Sequence, residues 1–179
     1  MTINIEPIRY DRVSLCLHWL TALLVVEQWV GAHLIDEFAK GAPRIAARSV
    51  HISLGLTLGI ILIARILWRA TGGRKLPPAD QGLLQFIAKG AHWLLYALLI
   101  GVVSAGIFFV WVRGDSFFGL FSVPAFDPGN KILRHNVAET HELLANAILI
   151  VAGLHAAAAL VHHYLWHDGV LRRMMPGRG

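Results

Sequence analysis

The chain has 179 residues, 56% hydrophobic and 15% charged, with a formal net charge of +5 and a mean hydropathy of +0.58. A soluble domain of this size carries about a quarter charged residues, so the composition excludes an ordinary water-soluble enzyme and points to lipid as the solvent. The basic residues flank apolar runs instead of forming a stripe, which excludes nucleic acid as a partner, and the single cysteine, Cys16, excludes an internal disulfide, an iron–sulfur cluster and a thioether-bound cofactor.

The first apolar segment covers about 13–35; it has no small-residue cleavage site and reads as a helix that stays. The second covers about 49–68, ending at Arg69 and the Thr71-Gly72-Gly73-Arg74-Lys75 break, with Pro77 and Pro78 in the loop beyond. The third, about 86–112, ends at Arg113-Gly114-Asp115, and its loop carries Pro124 and Pro128. The fourth, about 138–166, is stopped by His167-Asp168-Gly169. Each reaches the ~20 residues that a ~30 Å hydrocarbon core demands, and none alternates with the period of a membrane barrel strand. The expected fold is all-α: one integral membrane four-helix bundle over 1–179, up-down-up-down. Ten of the 16 Lys and Arg fall in the two tails and the second loop with its helix ends, so both termini are expected in the cytoplasm.

Ten histidines against one cysteine is the informative ratio. Ionisable groups inside spans are expensive and normally mark function. His18 lies early in the first segment, on the inner side of this topology, and His51 and His141 lie early in segments that start outside. His155 follows His141 by fourteen residues, which advances a helix by about 21 Å and returns to nearly the same face. His141 therefore shares a depth with His51, and His155 with His18. Two pairs of facing imidazoles emerge, His51–His141 and His18–His155, each able to hold a haem iron from both sides. Gly55 and Gly59 beside His51, and Ala152, Gly153 and Ala156–Ala159 around His155, offer either room for a macrocycle or close helix packing.

The other polar positions divide by depth. His162, two turns beyond His155 on the same face, puts a titratable group beside the inner site, where a quinone would need a proton donor. His92 reads as an interfacial hydrogen bonder, His33 and His135 as solvated at the outer ends, and His163 and His167 as interfacial. Glu27, in the middle of the first segment, reads as a proton-path carboxylate, a protonated buried acid or a side chain at the lipid edge, with a partner inside the bundle the preferred outcome.

With His18-Trp19-Leu20, His51, His141-Glu142 and Gly153-Leu154-His155 in place, the chain resembles the bacterial cytochrome b-561 family, small di-haem membrane cytochromes. Its ending, GLHAAAALVHHYLWHDGVLRRMMP, looks like that of the superoxide:ubiquinone oxidoreductases of this family. Arg113-Gly114, and Arg44 seven residues before His51, extend the likeness over nearly the whole chain, while Glu27 and Val103 depart from it. The resemblance implies two haem b groups on His18, His51, His141 and His155, a place in the bacterial inner membrane, superoxide oxidation outside and ubiquinone reduction inside. Lys40, Arg113, Lys131 and Arg134 would then steer the anion toward the outer haem, and Arg44 and Arg48 would pair with its propionates. No partner protein is required for such an enzyme. The rival reading is an anchor and electron-relay subunit of a hydrogenase or other periplasmic dehydrogenase; such subunits tend to have longer loops or an extra span. A third, a transporter without haem, would be colourless on purification.

Overall fold

The computed structural model describes residues 9–79 and 81–175; the ends of the expected 1–179 unit, with Arg178 of the tail count, lie outside the described residues. Four long helices account for nearly all of it: α1 (Arg12–Leu34), α2 (Ala42–Thr71), α3 (Gly82–Arg113) and α4 (Lys131–Val161). All four are long and apolar enough to cross a membrane. Between α3 and α4 lies a minimal antiparallel hairpin, β1 (Ser116–Phe117) with β2 (Phe121–Ser122). Helix α1 packs on α2, α2 on α3, α3 on α4, and α4 closes back on α1, the up-down-up-down bundle that short loops between antiparallel neighbours produce.

The bundle is apolar outward as well as inward. Leu23, Ile60, Leu143, Ile150 and Leu154 each expose more than half of their surface, a pattern that only a lipid solvent tolerates. Within the spans the hydroxyls of Thr21, Ser53 and Thr57 bond back to the carbonyls of Leu17, Ser49 and Ser53, so each of the three is satisfied by its own helix. The buried residues that pack against one another form a layer: Leu24 of α1, Leu58, Ile61 and Leu62 of α2, Leu99 of α3 and Ile148 of α4. Ile148 stands midway between His141 and His155 in the sequence, so this layer separates the two histidine levels with hydrocarbon.

Helices α2 and α4 start seven residues before the apolar runs that announce them, at Ala42 and Lys131. Lys131 and Arg134, expected in a loop, therefore sit in the first turn of α4, capped by Asn130, whose side chain accepts from Leu133 N at 2.8 Å. Helix α3 ends on Gly114 at φ 70, where a Cβ would stand 2.9 Å from that of Ala125; only glycine closes the helix there.

The two ends of the described chain meet on one side. Tyr10 N donates to Arg173 O at 3.2 Å, and Trp19 Nε1 to Met174 O at 2.8 Å. Asp11 organises this end. As N-cap of α1 it accepts from Ser14 N at 2.9 Å and Ser14 Oγ at 2.7 Å, then from Trp68 Nε1 at 2.9 Å and Arg74 N at 3.0 Å after α2. Burial pushes its carboxyl up, but these four donors outweigh burial and hold it well below the usual carboxylate range. The lowered folded value means that the stabilisation is fully present above the unfolded value of about 3.9 and fades as acid approaches the folded one. Asp11→Ala is expected to cost about 1 kcal/mol near neutral pH, the usual loss for an N-cap. Thermal melts of both proteins from pH 7 downward check this: the gap between them should narrow only in strong acid.

Candidate functional site

Each histidine level draws on several helices. At the level near the α3–α4 hairpin, His51 of α2 and His141 of α4 face each other with ring centroids 6.5 Å apart and planes nearly perpendicular. An iron bonded to two imidazoles at about 2.0 Å, each nitrogen about 1.1 Å from its centroid, would separate the centroids by about 6.2 Å. The rings line a cavity of about 490 Å³ among all four helices, within the size range of cofactor sites. His141 Nδ1 lies 3.1 Å from Val102 O; donating there fixes the tautomer and leaves Nε2 with the bare lone pair that iron requires. His51 Nδ1 is buried without a hydrogen-bond partner among the described residues, while Gln28 Nε2 of α1 donates to the His51 carbonyl at 2.9 Å. Gly106 makes room: a Cβ there would lie 2.9 Å from His141 Cε1. Among the expected clearance glycines, Gly55 lines this cavity, whereas a Cβ on Gly59 would stand 3.1 Å from Val103 Cγ1, so Gly59 serves helix contact. This level fits a haem held by two imidazoles.

The mouth of the cavity is charged. Arg113 Nε donates to both oxygens of buried Asp115 at 2.8 and 2.9 Å, its Nη2 lies 2.7 Å from Oδ2, and Arg48 Nη1 approaches Oδ1 at 3.8 Å. Arg48 and Arg113 both line the cavity. Arg44 does not; it is tied to Asp36 at 3.2 Å and to the Phe38 carbonyl. Lys40, Lys131 and Arg134 are exposed at the same end. Asp115, which the sequence reading did not single out, therefore governs how Arg113 and Arg48 are presented. Asp115→Ala leaves two half-buried cations facing each other and is expected to destabilise the protein by about 3 kcal/mol, as when one partner of a buried pair is lost. Thermal unfolding in detergent measures it; an unchanged midpoint would remove Asp115 from this role.

At the opposite level, His18 of α1, Arg65 of α2, His92 of α3 and His155 of α4 converge. Arg65 Nη2 is 3.0 Å from His18 Nδ1, and the ring packed directly on His155 is that of His92, at 5.1 Å. His92 also bonds the Ala88 carbonyl through Nδ1 at 2.6 Å, so the expected hydrogen bonder is at the same time a neighbour of a candidate ligand. The arginine donates, so His18 Nδ1 accepts and its proton sits on Nε2. An iron bound through Nε2 would need the other tautomer, and Arg65 would then turn away. Gly153 gives no clearance, since a Cβ there meets nothing.

Beyond His155, α4 widens into one π-helical turn, His162–Trp166, ended by His167 in the left-handed region at φ 54. The turn brings His162 onto Asp168, to which its Nδ1 donates, with the Trp166 ring edge-on at 4.4 Å. Burial pushes the Asp168 carboxyl up, but the His162 and Val170 donors win and hold it below the usual range. Glu27 departs from expectation: its Oε2 is buried with no hydrogen-bond partner among the described residues.

Comparison with known proteins follows the same outline. The family model for prokaryotic cytochrome b561 matches residues 9–177. The probable superoxide oxidase CybB of Yersinia pestis is 33% identical over 94% of this chain and 96% of its own. Cytochrome b561 homolog 1 of Escherichia coli is 29% identical over 95% and 98%, and cytochrome b562 of Cereibacter sphaeroides 27% identical over 94% and 96%.

Proposed function

The chain belongs to the prokaryotic cytochrome b561 family, a multi-pass bacterial membrane cytochrome of b type, and from that premise we propose that it is a di-haem superoxide:ubiquinone oxidoreductase of the inner membrane. The observation that carries the reading is the 6.5 Å separation of His51 and His141 across a cavity of cofactor size, with a second histidine cluster at the far end of the same bundle. The probable superoxide oxidase among its relatives supplies the reaction class. Two superoxide anions each give up one electron and leave as dioxygen, and one ubiquinone takes up two electrons and two protons.

When bound, haem b at each level supplies one-electron transfer. The residues do the rest. His51 and His141 would hold the outer group, and His18 and His155 the inner one once Arg65 releases His18. The layer of Leu24, Leu58, Leu99 and Ile148 keeps water and protons out of the space between. Arg48 and Arg113 at the cavity mouth would pair with the propionates of such a group, with Arg44 held at the start of α2 by Asp36. Lys40, Lys131 and Arg134, exposed around the mouth, raise the local concentration of a small anion that does not cross lipid. With both termini in the cytoplasm, His162 lies at the inner end. Its Nδ1 is occupied by Asp168, which orients the ring so that Nε2 can hand a proton to the quinone.

The test is the protein purified alone, in detergent with ubiquinone and a superoxide source. Quinol should accumulate with superoxide supply, and the reduced-minus-oxidised spectrum should report two haems per chain. Two haems with no quinol until a dehydrogenase partner is added would identify a relay subunit instead. A colourless protein would end both readings.

A further inference from the structure

The hairpin between α3 and α4 has an apolar tip that neither the bundle nor its proposed chemistry uses. Phe118 exposes 50% of its surface, Leu120 83% and Phe121 61%, and Phe117 stacks on Phe121 across the strands with ring centroids 5.1 Å apart. Leu120 N donates to Phe117 O at 2.9 Å, closing a turn whose two central residues, Phe118 and Gly119, stand at φ 52 and 73. A turn of this kind favours Asn-Gly, because left-handed backbone is costly for a bulky side chain. Phe118 takes that conformation with half of its surface uncovered, so packing within the protein offsets the strain only in part.

The depth of the hairpin says what covers the rest. Ser49 of α2 is fully buried; its hydroxyl lies 3.1 Å from Ser116 O and accepts from Phe118 N at 2.8 Å. Helix α2 starts at Ala42, so the hairpin is pinned about 10 Å below that start, where the apolar run of α2 begins and two residues before His51. On the other side, Val123, next after β2, shares a groove with Ile107, Phe108 and Trp111 of α3, and the Phe126 ring packs on Trp111 at 4.7 Å. Ile107 and Trp111 belong to the outward apolar surface of the bundle, exposing 53% and 48%. The hairpin therefore continues the lipid-facing surface of α3, with aromatic rings at the level where a bilayer gathers them.

We propose that residues 116–122 form an interfacial anchor, with Phe118, Leu120 and Phe121 seated among the acyl chains of the adjoining leaflet. Ser49 and the Asp115 carbonyl, which accepts from Val123 N at 2.9 Å, tie its backbone to the bundle. The cavity mouth at Arg48 and Arg113 is thereby held at a fixed height over the lipid. The inference needs a membrane-spanning bundle and neither haem nor superoxide.

Spin labels test it. Cys16 is the single cysteine, so Cys16→Ser gives a background for one label at a time at Leu120→Cys, at Ile107→Cys on the lipid-facing side of α3 and at Lys40→Cys in an exposed loop of the same end. The full chain is reconstituted in vesicles of phosphatidylcholine and phosphatidylglycerol, and power saturation compares collisions with oxygen, which concentrates in lipid, and with a water-soluble nickel chelate. The label at 120 should match that at 107, with frequent oxygen and rare nickel collisions. Nickel collisions as frequent as at 40 would put the hairpin in water and overturn the proposal. Shielding from both reagents would overturn it in favour of a second copy of the chain covering the tip. Phe121→Cys repeats the measurement should Leu120→Cys fail to fold. Haem content of the same samples reports separately on the proposed function, so either reading can fail without the other.

Discussion

Replacing His141 by alanine is expected to remove one of two haems and to bring superoxide-driven quinone reduction down by more than about 100-fold, beyond the loss that follows even from removing an outer-sphere partner of a metal ligand. The imidazole is held by the Val102 carbonyl at 3.1 Å and looks across 6.5 Å at His51. Without it an iron at this level keeps one protein ligand, and the cavity of about 490 Å³ becomes larger and wetter on one side. His51→Ala should behave the same way. His18→Ala and His155→Ala should form a second class that loses the other haem and keeps the first. Haem quantitation on the purified variants, beside the spectrum, separates the classes. A His141→Ala protein that still carries both groups would strike this residue from the ligand set, and with it the pairing across the outer cavity.

How much of this was legible in the sequence depends on which physical rule each residue obeys. The helical period brings His141 and His155 to one face whatever surrounds them, and burial cost singles out histidines within apolar runs, so the two levels could be read from spacing. Helix starts could not. Lys131, Arg134 and His135 are polar because α4 extends past the lipid, and a reading by hydropathy ends the helix where the apolar run ends. Arg65 has a sign that suits the inner side of the topology, and nothing in the sequence gives it a contact; only the packing of α2 on α1 and α3 reveals that it points at His18 and Tyr96. Asp168 looked like a stop signal after α4. It meets His162 because the backbone there adopts a π turn, a geometry with no side-chain pattern to announce it. Glu27 marks the opposite failure: the rule that an acid in a span finds a partner predicted a contact that the described residues do not supply.

The second large effect is expected at a residue with no chemistry of its own. Gly106 and the Val102 carbonyl lie one turn apart on α3 and together form the wall against which the His141 ring rests. A Cβ at 106 would stand 2.9 Å from His141 Cε1 and 3.4 Å from Nδ1, so in Gly106→Ala either the ring or the helix must move. The ring has little freedom to give way toward α3, since its Nδ1 is already bonded there. Swinging away breaks that bond and turns the imidazole out of line with His51. Overpacking of this kind costs about 1–3 kcal/mol, and here it falls on the ligand geometry more than on the fold. Gly106→Ala should therefore keep its helical content yet lose most of the outer haem, and Gly106→Val should lose all of it. Gly101→Ala is the matched control: its Cβ would meet Leu144 at 3.5 Å, an ordinary contact, and alanine is the better helix former by about 1 kcal/mol. Circular dichroism and haem content on the three variants settle the matter. Full outer-haem loading in Gly106→Ala, with a spectrum like that of Gly101→Ala, would mean that the wall does not position His141.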